Sequence, residues 1–437
     1  MNARSSETCI VAFPKYRRGT SADRGKVLPW RAGPAHASPV RRSFRLVLFS
    51  LATGSADVDP ALVLTACVAG AAYTYSLLWV VILCVPFLMT VFAVSNRLGS
   101  ETRKGLVDLI RENYGRKLAL ACAATVLIIN LAMIVADLMA VSDGVSILLG
   151  LPRMYFVALV AFSVWYILIL HDYRFFTRIF LWLTLPLFTY VAAAVLAAPS
   201  AGWVLFSTAV PRIPHQPGYV SASLALFGSL LTPYVLVWKT SARRERAERK
   251  LFLPATHSYT GRVVTCLLAY SIIVATGSVL HVAHASNMTT VSAAEALRHV
   301  VGNIGPYMFA IGIVGAGLVA LPVLVASMAY SLSEAMGWRT GLSEHPWEAK
   351  SFYVVISVTV FVAGVLNVIP ITPVRAAYLS QVLAGILAIP ILLFILVLSN
   401  DRRVMRTTNT RWQNFWCGAA IGALVACGLL LAWWKAI

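Results

Sequence analysis

Two aspartates, Asp57 and Asp59, stand with Gly54 just before them and Pro60 directly after them, inside an otherwise apolar stretch from about Leu46 to Trp79. A carboxylate at bilayer depth costs roughly 3 kcal/mol or more, so it is kept where it faces a cavity, a partner or an ion path. Pro60 has no amide hydrogen to give to a helix, and the spacing predicts a helix broken into two halves at this point. Such a break frees main-chain carbonyls and aims the acids at one spot, which is the outline of a cation site. Asp57 has a second reading, as an acid capping backbone amides at the broken helix.

The elements that must position these acids are membrane helices. Of 437 residues, 59% are hydrophobic and 12% charged, with a mean hydropathy of +0.78. Soluble domains carry about 25% charged residues. This is the composition of a polytopic membrane protein whose surroundings are membrane lipid. The formal net charge is +19. The basic residues fall between apolar runs, where they set topology, and nucleic acid is not expected as a partner. Seven scattered cysteines, without a CxxC, read as buried small residues. HExxH, G-x-S-x-G and a Rossmann fingerprint are absent from the sequence, so neither an enzyme nor a bound cofactor is expected.

Residues 1–45 form a basic, proline-containing leader without the apolar core of a secretory signal. It is expected to be a disordered cytoplasmic tail, or to reflect a start codon placed too far upstream. Eleven apolar segments follow, at about 46–72, 76–97, 117–140, 154–171, 176–199, 219–240, 262–285, 305–333, 351–370, 376–399 and 413–434. With the amino terminus inside and the carboxyl terminus outside, the inner loops hold nearly all the basic residues, among them Arg103, Lys104, Arg111, Arg243, Arg244, Arg402 and Arg403. The outer side keeps Arg153, Arg212, Arg298, Arg375 and Lys435. The sixth segment carries its own interruption, FGSLLTPYVLVW, with Gly228, Thr232 and Pro233 in mid-run. Sliding the chain by the interval from Asp59 to Thr232 lays the first five segments, 46–199, over the next five, 219–399. Five is odd, so the halves would insert with opposite orientation, and paired interruptions in inverted halves point to a transporter's binding site.

The acids before Pro60 in ATGSADVDPALV, AGAAYTYSLLWV from Ala69 to Val80, IVADLMAVSDGVSILLGLP from Ile134 to Pro152, LLTPYVLVWKTS, and YLSQVLAGILAIPILLFILVLSNDRRVM from Tyr378 to Met405 resemble, in this order, helices of the natural resistance-associated macrophage protein (NRAMP) family of divalent-metal transporters. Within that family they look like a branch with an acid-rich first helix and a Ser/Thr-Pro-Tyr sixth helix. The resemblance implies an all-α, LeuT-like (APC-type) fold, in which two inverted five-helix repeats are followed by an eleventh helix, 413–434.

The resemblance also implies a ligand set. Asp59 would be the first-helix carboxylate and Ala56 a carbonyl donor at the first break. Thr232 would stand where classical members have Met, Ser229 would donate a carbonyl, and Gln381 would be the tenth-helix ligand. Asp57 would assist. Asp137 would serve proton coupling or gating, or be the partner of a buried cation. Three departures modify the site: Leu62 replaces a ligand Asn, Tyr234 replaces His, and Lys239 follows the second break. Ala140 replaces a further acid of the family's proton route. Oxygen donors in place of a thioether suit hard cations such as Mg²⁺ and Mn²⁺. Lys239 either snorkels to the surface or pairs with the acids in the metal's place.

The expectation is therefore a multi-pass plasma-membrane secondary transporter of a divalent cation, with or without a linked proton. Two alternatives stay open: a carrier of a non-metal solute on the same fold, and a transport-inactive sensor or scaffold. His281 and His284 read as interfacial polar residues, and Gly312, Gly315 and Gly317 as a close helix contact.

Overall fold

The computed structural model describes residues 58–170, 182–197, 200–214, 216, 218–248, 256–280, 288–342 and 344–436. Residues 1–45, Ala56, Asp57, His281 and His284 lie outside the described residues, as does the side chain of Lys239. Every regular element among the described residues is helical. In chain order these are α1 (Pro60–Tyr73), α2 (Leu78–Thr102), α3 (Leu106–Tyr114), α4 (Arg116–Leu149), α5 (Met154–Leu170), α6 (Thr189–Leu196, preceded by a 3₁₀ turn at Leu185–Phe188) and α7 (Ala201–Ala209). There follow α8 (Tyr219–Leu231), α9 (Pro233–Glu248), α10 (Thr256–Val279), α11 (Thr290–Val301), α12 (Gly305–Met336), α13 (Lys350–Leu366), α14 (Pro373–Asn400) and α15 (Arg411–Ala436).

Seven described helices are long and apolar enough to cross a membrane, or eight if the bent pair through α6 and α7 is one span. Eleven segments of spanning length were expected, and four of them, 46–72, 154–171, 176–199 and 262–285, run in part over residues outside the described ones. α1 opens at Pro60 and has 14 residues, a rise of about 21 Å, and residues 46–57 of the same expected segment lie outside the described residues. α5 and α13 have 17 residues each. The expected span 176–199 contains the helix Trp182–Leu196, and α7 beyond it is turned by 112°.

The second interruption is where the sequence puts it. α8 ends at Leu231, Thr232 takes a left-handed conformation (φ 38°, ψ 70°), and Pro233 opens α9. Positive φ is costly for a β-branched residue, and such strain persists only where the surroundings hold it.

α1 lies at the centre. It packs against α4, α8, α10, α12 and α14, while α4 runs along both α12 and α14. Thirteen of its residues are buried, with no polar stripe, as expected of a helix wrapped by others. Close approaches are made at glycine. A Cβ on Gly228 of α8 would come 2.2 Å from the Gln381 carbonyl oxygen and 2.6 Å from the Gly385 nitrogen of α14. The expected glycine contact on α12 is present, with Gly312 against Leu187, Gly315 against Leu183 and Gly317 against Val141 and Pro60.

Candidate functional site

Asp59 is the N-cap of α1. Its backbone is extended (φ −103°, ψ 160°), and its Oδ1 accepts from the Leu62 amide at 2.6 Å. Pro60 at the first helical position fits, because the amide it lacks has no intrahelical partner in the first turn. Asp137, midway along α4, reaches the same helix end, and its Oδ1 accepts from the Ala61 amide at 3.0 Å. Both aspartates are fully buried. The first turn of α1 thus presents two consecutive amides to two carboxylates, one from its own cap and one from a neighbouring helix.

The second break faces this one. Tyr234, in the first turn of α9, donates its hydroxyl to Asp59 Oδ2 at 3.2 Å, and its carbonyl accepts from Ser327 Oγ at 3.2 Å. Ser229 turns its hydroxyl back to the Leu226 carbonyl at 2.9 Å. What Ser229 has to offer is its main-chain oxygen, since the residue four positions on is Pro233, which has no N–H. Gln381 reaches the same region on α14, at the glycine contact with α8.

Thr232 Oγ1, both amide atoms of Gln381 and Asp137 Oδ2 are buried and have no hydrogen-bond partner among the described residues. Buried polar atoms are nearly always paired. Four unpaired ones, three oxygens and the Gln381 amide nitrogen, lie on residues around the two helix breaks, so the oxygens have capacity to spare. Leu62, Ala140 and Ala384 are buried and contribute no polar atom. Among the described residues no group of three or more His, Cys, Asp or Glu could hold a metal. Any cation held here is held by few carboxylates and by neutral oxygens.

The structure brings together Asp59, Asp137, Tyr234, Thr232, Ser229 and Gln381 around the breaks. Asp143, further along α4, is about one-fifth exposed and lies 3.8 Å from Arg153. Two contacts carried no sequence signal. One is the Tyr234–Asp59 hydrogen bond. The other is the buried Glu334 of α12, whose Oε1 accepts from Ser241 Oγ of α9 at 2.6 Å. A lone acid near the end of an apolar run was the available hint for Glu334. A groove of about 670 Å³ between α5 and α13, lined by Phe162, Trp165, Phe361 and Asn367 among others, shares no residue with the site.

The family described as natural resistance-associated macrophage protein-like (Nramp) matches residues 50–434. The chain belongs to the Nramp family. This Nramp chain is 25% identical to a protein named divalent metal cation transporter MntH from Verminephrobacter eiseniae, over 98% of its own length and 93% of the relative's. It is 27% identical to the rice protein named metal transporter NRAT1, over 60% of its own length and 51% of the relative's, so it spans about half of that protein. Its fold is similar to that of the Eremococcus coleocola manganese transporter, solved with an aromatic bis-isothiourea substituted compound, with a TM-score of 0.66 at 16% identity, covering 89% of this chain and 87% of that one. At that identity the likeness is one of fold, the LeuT-like arrangement. The Nramp chain is a multi-pass membrane protein and not an enzyme.

Proposed function

We propose that this Nramp protein is a secondary transporter of a divalent metal cation in the plasma membrane, working by alternating access between its two ends. The observation that carries the reading is the set of buried, unpaired oxygens of Thr232 and Gln381 beside the two capped acids at paired helix breaks. Each unpaired buried polar atom costs about 1–3 kcal/mol, and a cation that accepts their lone pairs offsets that cost. Asp59 supplies the carboxylate, Thr232 and Gln381 supply side-chain oxygens, and Ser229 and Ala56 supply carbonyls. Asp57 assists.

The ion class follows from the donors. The set is carboxylate, hydroxyl, amide and carbonyl oxygen, without thioether or imidazole, and this suits Mg²⁺ or Mn²⁺ over softer ions. A site with few protein ligands also accommodates an ion that keeps part of its water, as Mg²⁺ does. The names of the MntH and manganese-transporter relatives support a divalent cation. Ala140 stands three residues after Asp137 where the family's proton route has its second acid, so movement of the cation need not be tied to a proton.

Calorimetric titration of the purified full chain with Mg²⁺, Mn²⁺ and Ca²⁺ tests the reading. Saturable binding in the parent that Asp59→Ala abolishes is expected. Absence of binding in the parent together with binding in Lys239→Gln would mean that the lysine ammonium occupies the cation's place, and the transported species would then be another solute. Absence of binding in both ends the metal reading.

A further inference from the structure

We infer that Asp137 is a direct ligand of the transported cation, making the site a dicarboxylate pair with Asp59; this rests on the divalent-cation reading above. Asp59 Oδ1 and Asp137 Oδ1 are hydrogen-bonded to the consecutive amides of Leu62 and Ala61, at 2.6 and 3.0 Å. Two carboxylates anchored on neighbouring amides of one helical turn are held side by side. Each keeps its second oxygen for something else. Asp59 Oδ2 takes the Tyr234 hydroxyl, whereas Asp137 Oδ2 is buried with no hydrogen-bond partner among the described residues. An oxygen of that kind, on a group already oriented by its other oxygen, is a preorganised ligand.

Charge leads to the same residue. Two buried carboxylates at one helix end repel each other, and a helix end carrying about half a positive charge offsets only part of that. A divalent cation between them neutralises both, where a single carboxylate would leave an uncompensated charge in a dry interior. The neutral positions around them agree. Leu62 contributes no oxygen where the family has a ligand Asn, and Ala140 leaves Asp137 without a second acid one turn further along α4. A dicarboxylate with neutral oxygens favours a hard divalent ion over a monovalent one.

The test is calorimetry with Mn²⁺ and Mg²⁺ on the purified full chain and on Asp59→Asn, Asp137→Asn and Asp137→Glu. Asn at position 137 keeps an oxygen to accept from the Ala61 amide, and thermal unfolding without metal checks that the variant folds like the parent. Asp137→Asn is expected to weaken binding by about tenfold to a hundredfold or more, matching Asp59→Asn, since even groups that only orient a ligand are worth that much. Asp137→Glu is expected to recover part of the loss. Mn²⁺ held by the parent should also change its electron-spin resonance line shape in Asp137→Asn, which a merely structural role would not produce. If Asp59→Asn loses binding while Asp137→Asn keeps it within about twofold and alters only uptake rates, Asp137 is not a ligand and the inference falls. If the parent and Lys239→Gln bind no divalent cation, the functional reading falls, and the inference with it.

Discussion

Asp59 uses its two oxygens differently: one caps a helix, and the other is engaged by a phenol from the opposite break. Tyr234 thus holds an oxygen that an incoming cation would need. Tyr234→Phe removes the donor and leaves Asp59 Oδ2 unpaired in the metal-free protein. A hydrogen bond to a charged group is worth about 1.5–3 kcal/mol, so the variant is expected to bind Mn²⁺ roughly tenfold more tightly and to unfold at a lower temperature without metal. Calorimetry and a melting curve check both. Weaker binding in Tyr234→Phe would instead make the hydroxyl a ligand. At this scale the sequence was readable at Asp59, an acid out of place in an apolar run, while Asp137 and Gln381 were marked by the family resemblance. The Tyr234 contact was not readable, since a tyrosine after Pro233 fits a lipid-facing position equally well, and only the folded geometry brings it within 3.2 Å of the acid.

Between elements, contacts without side chains set the site's spacing. α8 meets α14 where Gly228 and Gly385 bring backbone to backbone, and Gln381 lies on α14 one turn before Gly385. Gly228→Ala would put a methyl group 2.2 Å from the Gln381 carbonyl oxygen. Backbone cannot swing aside as a side chain can, so α14 must shift. The expected cost is about 1–3 kcal/mol in unfolding free energy, with weaker cation binding because Gln381 moves with its helix. Gly364→Ala on α13, whose added Cβ meets nothing within 4 Å, is the matching control and should leave both measurements unchanged. Hydropathy made the existence of these helices legible, and the proline interruptions marked the break at Thr232. The start of α1 at Pro60 was likewise marked by its proline, but the bend between α6 and α7 was less legible, because a hydropathy run reports the length of apolar chain and not where its axis turns.

Across the whole molecule the site lies between two closed ends. At one, Tyr73 and Tyr219 meet edge to face with ring centres 5.5 Å apart, Trp79 donates to the Tyr219 hydroxyl at 3.0 Å, and Ser221 and Tyr378 share a 2.6 Å hydrogen bond. At the other, Ser241 binds the Glu334 carboxylate, Arg111 donates to the Glu334 carbonyl at 2.7 Å, and the Leu106 amide donates to Thr240 Oγ1 at 3.2 Å. This second closure ties α9 to α12, and both of them to α3, without touching the site. Ser241→Ala is therefore expected to change the rate of cation uptake into proteoliposomes while leaving the equilibrium affinity within about twofold. A large loss of affinity would mean that the two ends and the site are not separable. The charge asymmetry of the loops was plain in the sequence, but the lock was hidden, because Glu334 and Ser241 come from segments far apart in the chain and are joined only by folding.

The cysteines of this chain amount to a set of built-in reporters. Among the described residues all six are free thiols, five of them buried and Cys427 partly exposed. Cys67 sits on α1 two turns beyond Asp59, covered by Tyr190 of α6, whose hydroxyl lies 3.7 Å from its sulfur. A membrane-permeant maleimide should find this thiol shielded while both ends are shut and react with it only when α1 parts from α6. The alkylation half-life of Cys67, followed by mass spectrometry with and without Mn²⁺, would then time the opening of the unaltered protein without any engineered label.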